Sequence, residues 1–198
     1  MALAENELLL KNVRITTFGQ QTIYTAKSFP GGNDPTPYYS LNAILGKDHK
    51  QIPEIEKKML EAANKKFGDK KGAAVLKAAK LIGKVPLRDG DIKADYDGFE
   101  GNMFLSARTA ADKGRPQVVD NLRQPVVAGD KNAPYDGCYA DLIISFYGYD
   151  KGNNGIGCGL KVVQFRANGE RFSGGGKPAD LDDLEEISAP TDEDDINS

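Results

Sequence analysis

The chain has 198 residues, enough to bury a sizeable core as one domain plus a tail. Its 26 basic and 29 acidic residues give a net charge of −3, with two cysteines, one histidine and no tryptophan. This composition excludes a disulfide framework, histidine-rich metal or catalytic chemistry, and any run of about 18 apolar residues able to span a membrane.

The net charge conceals an asymmetry. From Asp180 onward there are nine acidic residues (Asp180, Asp182, Asp183, Glu185, Glu186, Asp192, Glu193, Asp194 and Asp195) and no lysine or arginine. The remaining body holds 26 basic against 20 acidic residues, a net of +6. A basic body with an acidic tail suggests a polyanion-binding surface and a tail that competes for it; the alternative is a tail that serves solubility alone. The sequence therefore divides into a domain over 1–179 and a disordered acidic tail over 180–198.

In chain order, the acidic, weakly apolar start does not read as a signal peptide, and residues 1–8 are expected to fray. Val13, Ile15 and Thr17 alternate with Arg14 and Thr16, so 9–25 reads as one or two strands. The stretch 24–39 is rich in proline and glycine and reads as loop, followed by an alternating strand over 38–45. Ile52, Ile55, Met59, Ala62 and Ala63 fall at helical spacing in 49–67, with Pro53 in the first turn and Gly68 as the stop. A second helix is expected over 72–82, with Ala74, Leu76, Ala78, Leu81 and Ile82. The stretch 85–100 is a charged, turn-rich connector. Strands follow over 101–107 and 117–119, and Val126-Val127 reads as an edge-like segment.

The region 135–176 is the clearest signal. Leu142, Ile144 and Phe146 alternate with Ile143, Ser145, Tyr147 and Tyr149, a half-buried strand. A turn over 150–155 and a second strand over 156–165 make a long β-hairpin. With Tyr147 opposite Gly159, Ile144 faces Val162 and Phe146 faces Leu160 on an apolar side. Tyr147, Tyr149, Lys161, Val163 and Phe165 share the other side, with Gly157 and Gly159 beneath the tyrosines. In this register Cys138 and Cys158 do not pair, which fits a reducing compartment. The tyrosine face suits base stacking, and equally an ordinary wet sheet face. At least six strand candidates around one helical insert, without βαβ alternation, indicate a mainly β fold, a closed or partly open antiparallel barrel.

The connector's Asp89, Asp91, Asp95, Asp97 and Glu100 could hold a divalent metal, as in a metal-dependent nuclease. Asp89, Asp91 and Glu100 match three positions of a calcium loop, but Lys93 and Ala94 stand where an oxygen ligand and a glycine are needed. His49 accompanies no nucleophile motif. Gly155-Ile156-Gly157-Cys158-Gly159 enters a strand and not a helix, so it is not a phosphate loop. What remains are aromatics interleaved with cations: Arg88, Lys93, Tyr96, Phe99, Phe104 and Arg108, with Lys113 and Arg115 nearby, and then Tyr147, Tyr149, Lys151 and Lys161. Single-stranded nucleic acid requires both kinds of residue, cations for the backbone and rings for the bases. No cofactor is called for.

Several ordered segments carry a resemblance: Pro86-Leu87-Arg88-Asp89-Gly90-Asp91, Pro116-Gln117-Val118-Val119-Asp120, Tyr135-Asp136-Gly137-Cys138-Tyr139, Phe146-Tyr147-Gly148-Tyr149 and Gly155-Ile156-Gly157-Cys158-Gly159-Leu160. Over roughly 13–176 the chain resembles a tailed-bacteriophage family of OB-fold single-stranded-DNA-binding proteins, once classed as a domain of unknown function. The resemblance implies a Greek-key OB barrel and a non-enzymatic role in phage DNA replication or recombination in the cytoplasm of the infected host. Contacts are expected from Arg88, Lys93, Arg108, Arg115 and Lys161 to phosphates, and from Tyr96, Phe99, Tyr147 and Tyr149 to bases. Phage or host replication and recombination proteins are candidate partners of the acidic tail, and a homodimer is a candidate assembly. The tail ends Asp194-Asp195-Ile196-Asn197-Ser198 without the aromatic tip common in related proteins, so charge-based competition is expected in place of tip docking. A metal-dependent nuclease and a phage structural protein are the competing readings.

Overall fold

A computed structural model describes residues 2–28 and 35–173. The acidic tail and its calls at Asp182, Asp183, Glu185, Glu186, Asp192, Glu193, Asp194 and Asp195 therefore lie outside the described residues. Seven strands form one sheet: β1 (Glu7–Thr16), β2 (Tyr38–Gly46), β3 (Leu87–Asp89), β4 (Asn102–Ala110), β5 (Gln117–Val119), β6 (Tyr139–Tyr149) and β7 (Gly155–Ala167). Their spatial order is β3-β4-β2-β1-β6-β7-β5. Strands β4 and β7 then meet through a side chain: Thr109 Oγ1 donates to the Leu160 carbonyl (2.7 Å) and accepts from its N–H (3.0 Å). This contact brings β1, β2, β4, β7 and β6 round into a five-stranded barrel, with β3 and β5 added at its margins. All pairings are antiparallel except β5 with β7, which is parallel, a departure from the all-antiparallel expectation. Val126 and Val127 form no strand, and only Pro125 bridges Val119.

Between β2 and β3 lie α1 (Ile52–Phe67) and α2 (Asp69–Leu81), joined by the single residue Gly68 at φ 87°. The region α-helical by spacing is thus helical, and α2 starts earlier than expected. Helix α1 buries Ile55, Met59, Ala62 and Ala63 in the main core with Leu10, Ile15, Leu142, Ile144 and Leu160. Each large apolar side chain buried there contributes about 1.5–3 kcal/mol. Leu81 and Ile82 are exposed, contrary to their helical pattern, because α2 turns only Gly72, Leu76 and Ala79 inward. No helix is long and apolar enough to cross a membrane among the described residues.

The β6–β7 hairpin forms, but in a different register. The predicted offset holds at Tyr139↔Ala167, and two irregularities then shift it, so that Ile144 faces Leu160, Phe146 faces Cys158 and Tyr147 faces Gly157. The extra residues are Arg166 and Lys161 on β7. Each bulge absorbs one residue. Beyond both, a slip of two keeps the tyrosine face, because a strand repeats every two residues. Between them the slip is one, so Val163 and Phe165, expected beside the tyrosines, turn into the main core, and Val162 pairs with Ile143 on the other face. The rings therefore cover Gly157 and Gly155, and Gly159 meets Ser145 instead.

The two cysteines are buried and unpaired. Burial raises the Cys138 thiol from 9.0 to about 11. The fold thus favours the protonated thiol. That contribution is complete below pH 9 and lost as the pH rises through about 11. The urea midpoint is expected to fall over this window, and to fall less in Cys138→Ala. An identical fall in the variant would contradict the assignment.

Candidate nucleic-acid interface

Strand β4 is buried on both faces. Leu105 and Ala107 enter the main core, while Phe104 points the other way and forms a second cluster with Ile44 and Phe99. Phe18 and Phe172 pack against this cluster. Phe18 follows β1 at φ 54°, and its ring stacks on Phe99 at 5.6 Å and meets the edge of Tyr96 at 4.9 Å. Phe99 is completely buried, so it supports the surface and is not available to stack on a base, a correction to its expected role. Tyr96 is 39% exposed and remains on the surface.

Beside this cluster a groove of about 380 Å³ is lined by residues from five separate segments, among them Phe18, Lys84, Arg88, Lys93, Arg108, Tyr147 and Tyr149. The two tyrosines are positioned by glycine. A Cβ on Gly157 would lie 2.4 Å from the Tyr147 ring, and one on Gly155 would lie 2.4 Å from the Tyr149 ring. Each ring rests directly on the cross-strand backbone, which no other residue permits without displacing it.

Arg88 and Lys93 are partly withdrawn from water, while Lys84 and Arg108 are exposed. Arg88 on β3 donates from Nη2 to Ser106 Oγ (3.2 Å), and Ser106 in turn donates to Asn42 Oδ1 (2.7 Å). Its guanidinium lies 4.7 Å from the Phe104 ring centre, and its Nε is buried without a hydrogen-bond partner. Lys93 places its ammonium 4.7 Å from the Phe18 centroid. Burial, and then the neighbouring Arg88, hold the Lys93 ammonium below the usual lysine range, and burial lowers Arg88 likewise. Arg108 lies over Tyr38 at 4.7 Å and opposes the upward, burial-driven shift of the Tyr147 hydroxyl. Among the described residues, none of Lys84, Arg88, Lys93 and Arg108 forms an ion pair with a carboxylate. Partly buried cations without counter-charge are costly, and an anion entering the groove would relieve them.

Two expected contacts lie elsewhere. Lys161 is ion-paired with Glu7. Arg115 borders a separate depression with Pro116, Val118 and Val126. Phe18 and Lys84 were not singled out from the sequence, although the Phe18-Gly19 break after a strand marks an exposed corner.

Three of the connector's carboxylates, Asp89, Asp91 and Asp97, are structural staples. Lys47 bridges Asp89 (3.2 Å) and Asp91 (2.7 Å), and Asp91 Oδ1 also accepts from Gly101 N–H (2.7 Å). Both contacts, Lys47 first, hold the Asp91 carboxyl below its ordinary range. Asp97 accepts from the backbone and hydroxyl of Ser173 (2.7 and 2.6 Å). These bonds fix the loop that presents Lys93 and Tyr96. No group of three or more histidine, cysteine or acidic residues able to hold a metal occurs among the described residues.

The family model described as Enterobacter phage Enc34, ssDNA-binding protein, matches residues 6–196. The chain belongs to this family. Protein p50 of Acyrthosiphon pisum secondary endosymbiont phage 1 is 34% identical over 157 residues, covering 78% of this chain and 82% of p50. Among solved structures, the single-stranded DNA-binding protein from bacteriophage Enc34 in complex with ssDNA has a TM-score of 0.67 and 23% identity, covering 85% of this chain and 90% of that one. The single-stranded DNA-binding protein gp2.5 encoded by bacteriophage T7 has a TM-score of 0.51 and 12% identity, covering 93% and 100%. The fold is thus that of phage OB-fold proteins, with the two helices as the insertion.

The two aromatic roles separate by mutation. Phe99→Ala is expected to cost about 3–5 kcal/mol of stability in urea unfolding, as for other buried phenylalanines. Tyr96→Ala should cost about 1 kcal/mol or less. Comparable losses would contradict the division into support and surface.

Proposed function

We propose that this protein coats single-stranded DNA with little sequence preference during phage DNA replication and recombination, acting inside the infected host by binding and not by turnover. The observation that carries this reading is the convergence of Tyr147, Tyr149, Arg88, Lys93 and Arg108 on one groove. Membership of a family described by an ssDNA-binding protein supports it. Bases stack on the glycine-backed tyrosines, with Phe18 and Tyr96 extending the aromatic surface, and each stacked base contributes about 1–3 kcal/mol. Phosphates meet Arg88, Lys93 and Arg108, which form no ion pair with a carboxylate among the described residues. Aromatic faces accept any base, so sequence preference is weak.

The acidic residues after Asp180 compete with DNA for the same cations. Ser173, the last described residue, is fixed to Asp97 in the loop that carries Lys93 and Tyr96, and this position supports the reading.

Titration with oligothymidine, followed by tyrosine fluorescence, is expected to show quenching that is reduced in Tyr147→Ala and affinity that falls steeply with salt. Binding unaffected by salt or by Tyr147 would contradict this mode. Removing residues 180–198 should tighten binding at low salt, with the difference vanishing at high salt. Equal affinity with and without the tail at low salt would exclude competition.

A further inference from the structure

The groove ends at a gap in the sheet. Strand β1 pairs with β6 only as far as Glu7↔Ser145, so the outer edge of β6 from Tyr147 onward has no strand neighbour among the described residues. A second cavity, of about 660 Å³, opens along this edge and includes Tyr147, Gly148, Lys58, Lys65 and Lys66 in its wall. Tyr147 therefore borders both concavities. Helix α1 is seated directly on β6 here. A Cβ on Gly148 would fall 2.5 Å from Lys66 Cβ and 3.1 Å from the Ala62 carbonyl, so the end of α1 is held at a fixed position relative to Tyr147.

The helical insertion is strongly basic. Residues 52–82 contain eight lysines against four acidic residues. Lys57, Lys58, Lys66 and Lys80 are ion-paired, with Glu61, Glu61, Asp150 and Glu56. Lys65, Lys70 and Lys71 are exposed and have no ion pair among the described residues. Helix stability explains Lys65, which sits in the last turn of α1 beside the negative pole. It does not explain Lys70 and Lys71. They occupy the first turn of α2, where the positive pole of the helix disfavours cations. The cavity wall also carries Glu5, Glu61 and Asp69: Glu61 is shared by two lysines, Asp69 sits at the positive pole of α2, and Lys70 and Lys71 stand outside that wall in the first turn of α2.

We propose that a single strand bound in the groove continues over the open edge of β6 at Tyr147 and onto the turn between α1 and α2, where Lys65, Lys70 and Lys71 hold its phosphates. The helical insertion is then a second contact site that lengthens the footprint of the barrel. This inference rests on the groove reading above. A polyanion already emerging beside Tyr147 is the ligand that matches Lys65 in the wall of the same cavity and the two lysines that follow at the start of α2.

The test compares oligothymidines from about 4 to about 16 nucleotides, the range of OB-fold site sizes, on full-length protein and on a triple variant, Lys65→Ala with Lys70→Ala and Lys71→Ala. The shortest oligomers should bind both proteins alike. With the longest, the variant should bind at least about tenfold more weakly, and its slope of log affinity against log salt should be shallower by about 2, since each phosphate contact to a single strand contributes about 0.7. Arginine at the three positions should restore wild-type behaviour, which separates charge from folding. A triple-alanine variant that follows the wild-type length curve overturns the proposal. The same curve combined with loss of the response to removing 180–198 assigns the patch to the acidic tail and also overturns it. A wild-type protein that binds no oligothymidine of any length overturns the groove reading itself.

Discussion

Arg88 and Lys93 are held close together, partly buried, with no carboxylate among the described residues to offset them. The local architecture enforces this. Strand β3 fixes Arg88 against Phe104, the 3-10 turn over Gly90–Lys93 delivers Lys93 above Phe18, and Phe99 fills the space beneath. The acidic residues of the same connector are drawn away, to Lys47 and to Ser173. A protein optimised for stability alone would place one of those carboxylates between the two cations. Leaving them uncompensated stores an electrostatic cost that a phosphate can release, and this links the packing of the second core to binding.

Glycine solves a different problem at the hairpin. The tyrosines lie flat only because Gly155 and Gly157 carry no side chain. Binding surface and barrel wall are therefore the same strands, and the bulges in β7 at Lys161 and Arg166 set which glycine meets which ring. The main core on the opposite face, filled by α1, keeps this wall rigid.

Alternation and helical spacing made β2, β4, β6, β7 and both helices readable from the sequence, and the tyrosine face followed from the period of two. The hairpin register was not readable, because each bulge adds one residue that strict alternation does not anticipate; the two together keep the tyrosine face, while the single slip between them turns Val163 and Phe165 into the core. Phe99 was misassigned for a related reason: a turn-rich connector has no periodicity, so a buried ring there looks like an exposed one. Leu81 and Ile82 fit a helical stripe, yet Leu81 lies off the face that buries Gly72, Leu76 and Ala79, and Ile82 follows the helix end. Lys161 is expected beside the tyrosines, yet it is the extra residue of a bulge and is engaged by Glu7, a partner from a strand distant in sequence. The five residues that do converge come from β3, β4, β6 and the loop after β3, so only the folded chain shows them as one site.

The most direct test replaces Arg88 by a side chain of similar reach without charge. Arg88→Met should leave the free protein as stable as wild type or more stable in urea unfolding, because it removes a partly buried, unpaired cation, while lowering affinity for oligothymidine. A variant that is destabilised and binds oligothymidine as wild type does would show that Arg88 serves the fold and not the ligand, and would contradict the account.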